Sequence, residues 1–311
     1  MKNTIGNSVA VTLFGESHGE MIGAVIDGLA PGIAVDEAYI AHMLDLRRPS
    51  GKISTPRQEK DAFQIVSGVR SGKTTGTPIT ILIPNENVKS GDYAQMRTTA
   101  RPSHADYTAQ CKYHGYQDSR GGGHFSGRIT AALVAAGAIC KSALEKKGIW
   151  IGTHVGRCAG ILDRAFDDLA SDIQSLNDKT FAVLDASCEE RMKAAILAAA
   201  EDGDSVGGIL ETAIIGMPAG VGEPWFDTLE GMLSHALFSI PAITLSIVVF
   251  PYPDGAIIVV ILPSSNSNEK SFKIYSLSYL KDRFFIVIAF FDLPSFILFT
   301  SFFPPRFLPQ I

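Results

Sequence analysis

In VTLFGESHGE, residues 11–20, His18 stands between Ser17 and Gly19 directly after a short apolar run. GESHG fits Gly-x-Ser-x-Gly, in which Ser17 would be a nucleophile on a strand-to-helix turn. Its position argues against that chemistry. Only fourteen residues precede the motif, too few for the parallel sheet and oxyanion loop such a turn needs, and a β-type run follows it. Two readings remain: a glycine-flanked loop whose imidazole carries a proton near neutral pH, and an ordinary strand turn. His104 lies three residues after Arg101 in TARPSHADYT. A guanidinium and a proton carrier at that spacing suit an anionic leaving group, one to hold it and one to protonate it. RGGGHFSGR, residues 120–128, sets three glycines, His124, Phe125 and Ser126 before a long apolar run. Backbone N–H groups free at such a helix start can face a phosphate or a flavin edge, and Arg128 can pair bidentately with a carboxylate or phosphate. DLRRPSGKISTPRQEKD adds Arg47, Arg48, Lys52 and Arg57. Each basic stretch alone reads as a solvated loop; together they outline a pocket for a ligand with several negative charges.

SGVRSGKTTG imitates a phosphate loop, but Ser67 stands where glycine is required. The β-branched TPITILIP follows where a helix must open, so the stretch reads as a tight hairpin and nucleotide hydrolysis drops out.

The elements that must position these groups follow from periodicity and punctuation. SVAVTLF and GEMIGAVIDGLAPG read as strands of a hairpin. VDEAYIAHMLDLRR reads as a surface helix, acidic at its start, basic at its end, with Ile40, Met43 and Leu44 on its apolar side. DAFQIVSGVRSGKTTGTPITILIPN gives two strands around a Gly-Lys-Thr turn, and a long polar segment runs from Glu86 to Ser119. GRITAALVAAGAICKSALEKKG, alanine-rich and closed by Gly148, reads as a buried central helix. Further on come a helix in MKAAILAAAEDGDS, strands in GGILETAIIGMPAG, and a helix in DTLEGMLSHALFSI with a capping box at Asp227 and Glu230. The class is α+β.

A composition of 46% hydrophobic and 19% charged residues is that of a folded globular chain, and a net charge of −5 gives no case for nucleic acid. Cys111, Cys140, Cys158 and Cys188 lie far apart, signalling neither a metal site nor a disulfide framework. The first residues carry no long apolar core of a secretory signal, and the expected location is the cytoplasm. Beyond Ile243 the composition changes: residues 244–311 hold 11 of the 18 phenylalanines and 1 of the 29 glycines. Residues 284–303 are long enough to cross a bilayer, yet Asp292 and Pro294 interrupt them, so the expectation is an atypical tail over 244–311 and no membrane association.

The succession FGESHGEMIGAVIDGLAPG, LRRPSG, SGVRSGKTTGTPI, RPSHADYT, RGGGHFSGRITAALVAAGAI, GDSVGG and PAGVGEPWFDTLEGMLSHALFSIPA resembles chorismate synthase, in order and spacing, over residues 1–243. The resemblance implies a β-α-β sandwich, incomplete at its C-terminal side, and a cytoplasmic homotetramer. It also implies elimination of phosphate from 5-enolpyruvylshikimate 3-phosphate to give chorismate, with reduced FMN required and NADPH an open question as its reductant. By the same resemblance His18 serves the reduced flavin and His104 protonates the departing phosphate. Arg47, Arg48, Arg101 and Arg128 line the site of a trianionic substrate. His124, Phe125, Ser126, Arg48, Lys52 and Ala242 fall at flavin-binding positions, although many members carry Arg-Ser-Ser at 124–126. Backbone and hydroxyl contacts survive that change; an arginine contact does not. After SIPA the family's Lys-Gly-Val-Glu-like segment, Gly-Gly-x-Ser-x-Gly loop and Gly-Arg-His-Asp-Pro block are missing, and a shifted or mis-joined reading frame is the expected origin of residues 244–311. A remnant that binds flavin or substrate without turnover is the alternative the missing blocks raise.

Overall fold

The computed structural model describes residues 2–49, 51–54, 59–86, 99–101, 104–240, 245–251 and 257–263. Two antiparallel five-stranded sheets enclose a helical layer. The first sheet runs in the order β1 (Thr4–Ile5), β2 (Ala10–Gly15), β3 (Met21–Asp27), β7 (Ile79–Pro84), β4 (Gln64–Ser67). The expected hairpin is β2 with β3. The expected tight hairpin is present but its turn is Ser71–Gly72 and not Gly-Lys-Thr: β5 (Val69–Arg70) pairs with β6 (Lys73–Thr74), and Ser71 and Gly72 both have the positive φ a two-residue hairpin loop demands.

Alternation along β3 and β7 places Ile22, Ala24 and Ile26 opposite Ile83, Ile81 and Ile79, all buried on one face. That face receives α1 (Glu37–Arg47) through Ile40 and Leu44, and α3 (Thr130–Glu145) through Ala131, Ala132, Ala135, Ala136, Ala138 and Ile139. The alanine face lets α3 lie close to the strands, and the helix also touches β8 of the second sheet. With the turn before it, over Gly127–Glu145, it is the one described segment long and apolar enough to cross a membrane, and its packing here is that of a core helix. Residues 284–303 lie outside the described residues.

The second sheet has the order β11 (Leu245–Pro251), β12 (Ile257–Pro263), β10 (Gly208–Ile215), β8 (Trp150–Cys158), β9 (Ile161–Leu162). α4 (Leu169–Leu176) seats on it where Gly152 leaves room for Ile173, and α5 (Ala186–Glu201) packs by β9. The stretch expected to hold several strands at 207–220 is β10 alone, followed by a turn. α6 (Leu229–Phe238) is capped by Thr228, whose side chain accepts from Gly231 N at 3.0 Å, and not by Asp227, which has positive φ and accepts from Asn7. The composition changes at residue 244, whereas the compact unit runs on to Ser265, because β12 pairs with β10 and β11 with β12.

A polar knot lies inside the second sheet. His154 of β8 is buried with Nδ1 at 2.8 Å from Asp163 and Nε2 at 2.9 Å from Glu211, its cross-strand partner on β10. Asp163 also accepts from the backbone N–H of Leu184 and Asp185 at 2.6 and 2.8 Å, so one imidazole ties β8, β10 and the chain before α5 together. Replacing it leaves two carboxylates without their shared donor. His154→Ala is therefore expected to lower unfolding free energy by about 3 kcal/mol, read from the urea midpoint at unchanged slope.

Candidate active site

The β2–β3 connection brings Ser17 and His18 inside, against the glycines before α3. Ser17 N donates to Gly123 O at 3.0 Å, and Ser17 Oγ lies 2.7 Å from His18 Nδ1. Both residues are buried. Strand follows turn and strand again, which removes the geometric basis for a nucleophile elbow at Ser17. Gly121 and Gly122 have φ of 58° and 92°, a region open to glycine, and each faces one imidazole. A Cβ on Gly121 would stand 2.2 Å from His18 Cε1; one on Gly122 would stand 2.9 Å from His104 Cε1. The two histidines, 86 positions apart in sequence, thus meet neighbouring residues of one turn.

The arginines form two groups. Arg128 is buried with its guanidinium on Asp61, Nε on Asn85 Oδ1 at 2.9 Å and Nη2 on Pro84 O at 3.1 Å. Arg47, from the end of α1, reaches the other oxygen of Asp61 at 3.1 Å, Thr130 Oγ1 at 3.2 Å and Gly127 O at 3.3 Å. Asn85 then holds both ends of the His18 turn: its Nδ2 donates to Glu16 O at 3.0 Å and Gly19 O at 2.9 Å. Arg101 belongs to the second group. Its Nε and Nη2 each lie 2.8 Å from Asp106, whose Oδ1 is 2.9 Å from His104 Nδ1. Hydrogen bonds from Arg101 hold the Asp106 carboxyl well below the usual carboxylate range, against the opposing effect of burial. Hydrogen bonds from Arg120 likewise lower the Asp118 carboxyl, and the Asp118 backbone carbonyl lies where a side chain on Gly123 would go.

The residues at the expected flavin positions are not gathered in one place. Arg48, ion-paired with Asp45, and Lys52 line a groove of about 780 Å³ together with Arg47, Phe181 and Lys193. Phe125 lines a smaller cavity of about 150 Å³ with Gly122 and Asp106, and tilts against Tyr113 at 5.9 Å. His124 donates from Nδ1 to Gly15 O at 2.8 Å, a strut between turn and strand. The Ser126 hydroxyl accepts from Arg128 N at 3.3 Å. Ala242 and Arg57 lie outside the described residues. Asp61, Asn85 and Asp106 went unnoticed in the sequence; only Asp106, inside the RPSHADYT block, carried a signal that spacing offered.

Two antiparallel sheets around a helical layer, with imidazoles and guanidiniums gathered where the central helix begins, define the class: a β-α-β sandwich with a polar site at one helix end. Residues 9–247 match the family model described as chorismate synthase. The chain is 41% identical over 242 residues to chorismate synthase of Aeropyrum pernix, covering 78% of this chain and 64% of that protein. It is 42% identical over 245 residues to that of Dehalococcoides mccartyi, covering 78% and 67%. A solved structure titled "Crystal Structure of Chorismate Synthase" shares the fold at a TM-score of 0.62 and 24% identity, over 83% of this chain and 84% of that one. The chain belongs to the chorismate synthase family, and spans 64% of the length of its Aeropyrum relative.

Two substitutions test the packing of the site. Gly121→Ala combines positive φ with overlap on His18 and is expected to cost about 3 kcal/mol in a urea titration and to shift the His18 ring signals. Asp61→Asn leaves two guanidiniums with one neutral partner and is expected to cost about 4 kcal/mol. In a double-mutant cycle with Arg128→Gln the two losses are expected to be strongly non-additive.

Proposed function

We propose that this chain is a lyase that eliminates phosphate from 5-enolpyruvylshikimate 3-phosphate to give chorismate. In that reaction a C–O bond breaks to release phosphate, a C–H bond breaks across the ring, and a new double bond forms without net redox change. The observation that carries this reading is the placement of two imidazoles on adjacent glycines of one turn, with Arg101 beside one of them. His104 suits protonation of the departing phosphate, because the Arg101 guanidinium beside it favours the anion. His18, buried and hydrogen-bonded to Ser17, suits proton exchange with the other reacting partner.

Reduced FMN is the cofactor of this reading, and what it supplies when bound is an electron lent as phosphate leaves. The groove beside Arg48 and Lys52 fits such a group in size and in charge: its volume falls within the range of cofactor clefts, and its cations suit a phosphate. Arg48 and Lys52 would hold that phosphate. Arg47 and Arg128 share one carboxylate, so together they offer the substrate's acid groups about one net positive charge. A cytoplasmic homotetramer completes the reading, with the source of the reduced flavin left open.

A second reading is favoured by one observation: the family match stops at residue 247 while the chain runs to 311 with a different composition. It is a protein that binds flavin or substrate without turnover. Anaerobic phosphate release from 5-enolpyruvylshikimate 3-phosphate, with chemically reduced FMN, separates the two. The first reading expects turnover that falls by about 100-fold or more in His18→Ala and His104→Ala. Flavin binding by a folded sample without phosphate release selects the second.

A further inference from the structure

Asp106 opens α2 (Asp106–Tyr113) and takes up four donors from two residues. Its Oδ2 accepts from Arg101 N at 3.0 Å and Nε at 2.8 Å; its Oδ1 accepts from Arg101 Nη2 at 2.8 Å and lies 2.9 Å from His104 Nδ1. Arg101 Nη2 and His104 Nδ1 are 3.2 Å apart because both meet that one oxygen. An ionised carboxylate only accepts, so a hydrogen on Nδ1 is what makes the 2.9 Å contact attractive; a lone pair there would face the lone pairs of the oxygen. The Arg101 hydrogen bonds keep Asp106 ionised. At the other edge of the ring, a Cβ on Gly122 would stand 3.2 Å from Nε2, so Gly122 meets that edge with backbone alone.

We propose that Asp106 is a positioning residue: by accepting the Nδ1–H of His104 while gripping Arg101, it fixes the neutral imidazole as the Nδ1–H tautomer and leaves Nε2 as the nitrogen that exchanges protons. This rests on the reading of His104 as the donor to the departing phosphate. In that step the Nε2–H proton passes to a phosphate oxygen, Nδ1 keeps its hydrogen, and the neutral ring that remains is the tautomer Asp106 already holds. The same carboxylate aims Arg101, so proton donor and anion holder are set by one side chain.

The test reads the tautomer directly. In the full chain with ¹⁵N-labelled histidine, two-bond ¹H–¹⁵N spectra at mildly alkaline pH, with His104 assigned by His104→Gln, are expected to show a protonated Nδ1 and a bare Nε2. Asp106→Asn keeps the shape and reverses the chemistry. Its amide oxygen takes the place where two Arg101 donors converge, and its NH₂ then faces Nδ1 and drives the ring to the Nε2–H form. An Nε2–H ring in the unmodified chain overturns the proposal, and so does an Nδ1–H ring retained in a folded Asp106→Asn. The first of these measurements decides even where the variant does not fold. Where the unmodified chain releases phosphate, Asp106→Asn is expected to lower kcat by about 100-fold; an unchanged kcat with an inverted tautomer overturns the positioning role. No turnover in the unmodified chain defeats the proposed reaction while the tautomer result still stands or falls alone.

Discussion

The charge of Asp61, shut away from solvent, is what the geometry of the site depends on. Arg47 comes from the end of α1 and Arg128 from the turn before α3, and those two helices pack side by side on the first sheet. Without a carboxylate between them the guanidiniums would repel across a region of low dielectric, and the helix ends that carry them would have to part. Taking these charges out of water is costly, and the arrangement holds because each guanidinium nitrogen has an acceptor: Asp61, Asn85, Pro84 O, Thr130 or Gly127 O. From Asn85 the order passes to the carbonyls of Glu16 and Gly19 that frame the His18 turn. The helical layer and the strand connection are thus joined by hydrogen bonds that run through one buried ion cluster.

Much of this was legible in the sequence, for reasons that differ from element to element. The period of VDEAYIAHMLDLRR and the alanines of GRITAALVAAGAI announce helices because each buries one face, and α1 and α3 do so. The hairpin over Ser71 and Gly72 announces itself through turn chemistry. The histidines and arginines stood out as residue types that suit anion and proton handling. What could not be read was which arginine spends its charge on the protein. Asp61 sits in QEKDAF, a string that looks solvated, yet in the fold it is buried between Arg47 and Arg128. Asn85 was equally mute, since an asparagine after a strand reads as a turn residue. The cap of α6 was misread because Asp227 and Thr228 are both good caps, and backbone geometry at Asp227 decided between them.

The boundary near residue 244 shows what composition does and does not report. The family match ends at residue 247, yet β12 and β11 extend the second sheet through backbone pairing. Strand addition asks little of a sequence beyond β-branched and aromatic residues, and AIIVVIL and LSIVVF supply them. Joining a sheet and belonging to a family are separate properties, and this chain shows them ending at different places.

Two imidazoles that arrive from distant parts of the chain are gauged against consecutive residues of one peptide turn. The two surfaces they lie against are therefore one peptide unit apart. Both rings thus share one boundary, although each is also held from behind, His18 through the turn that Asn85 grips and His104 by Asp106. A substitution that tilts the turn, by the same token, spoils both partners at once.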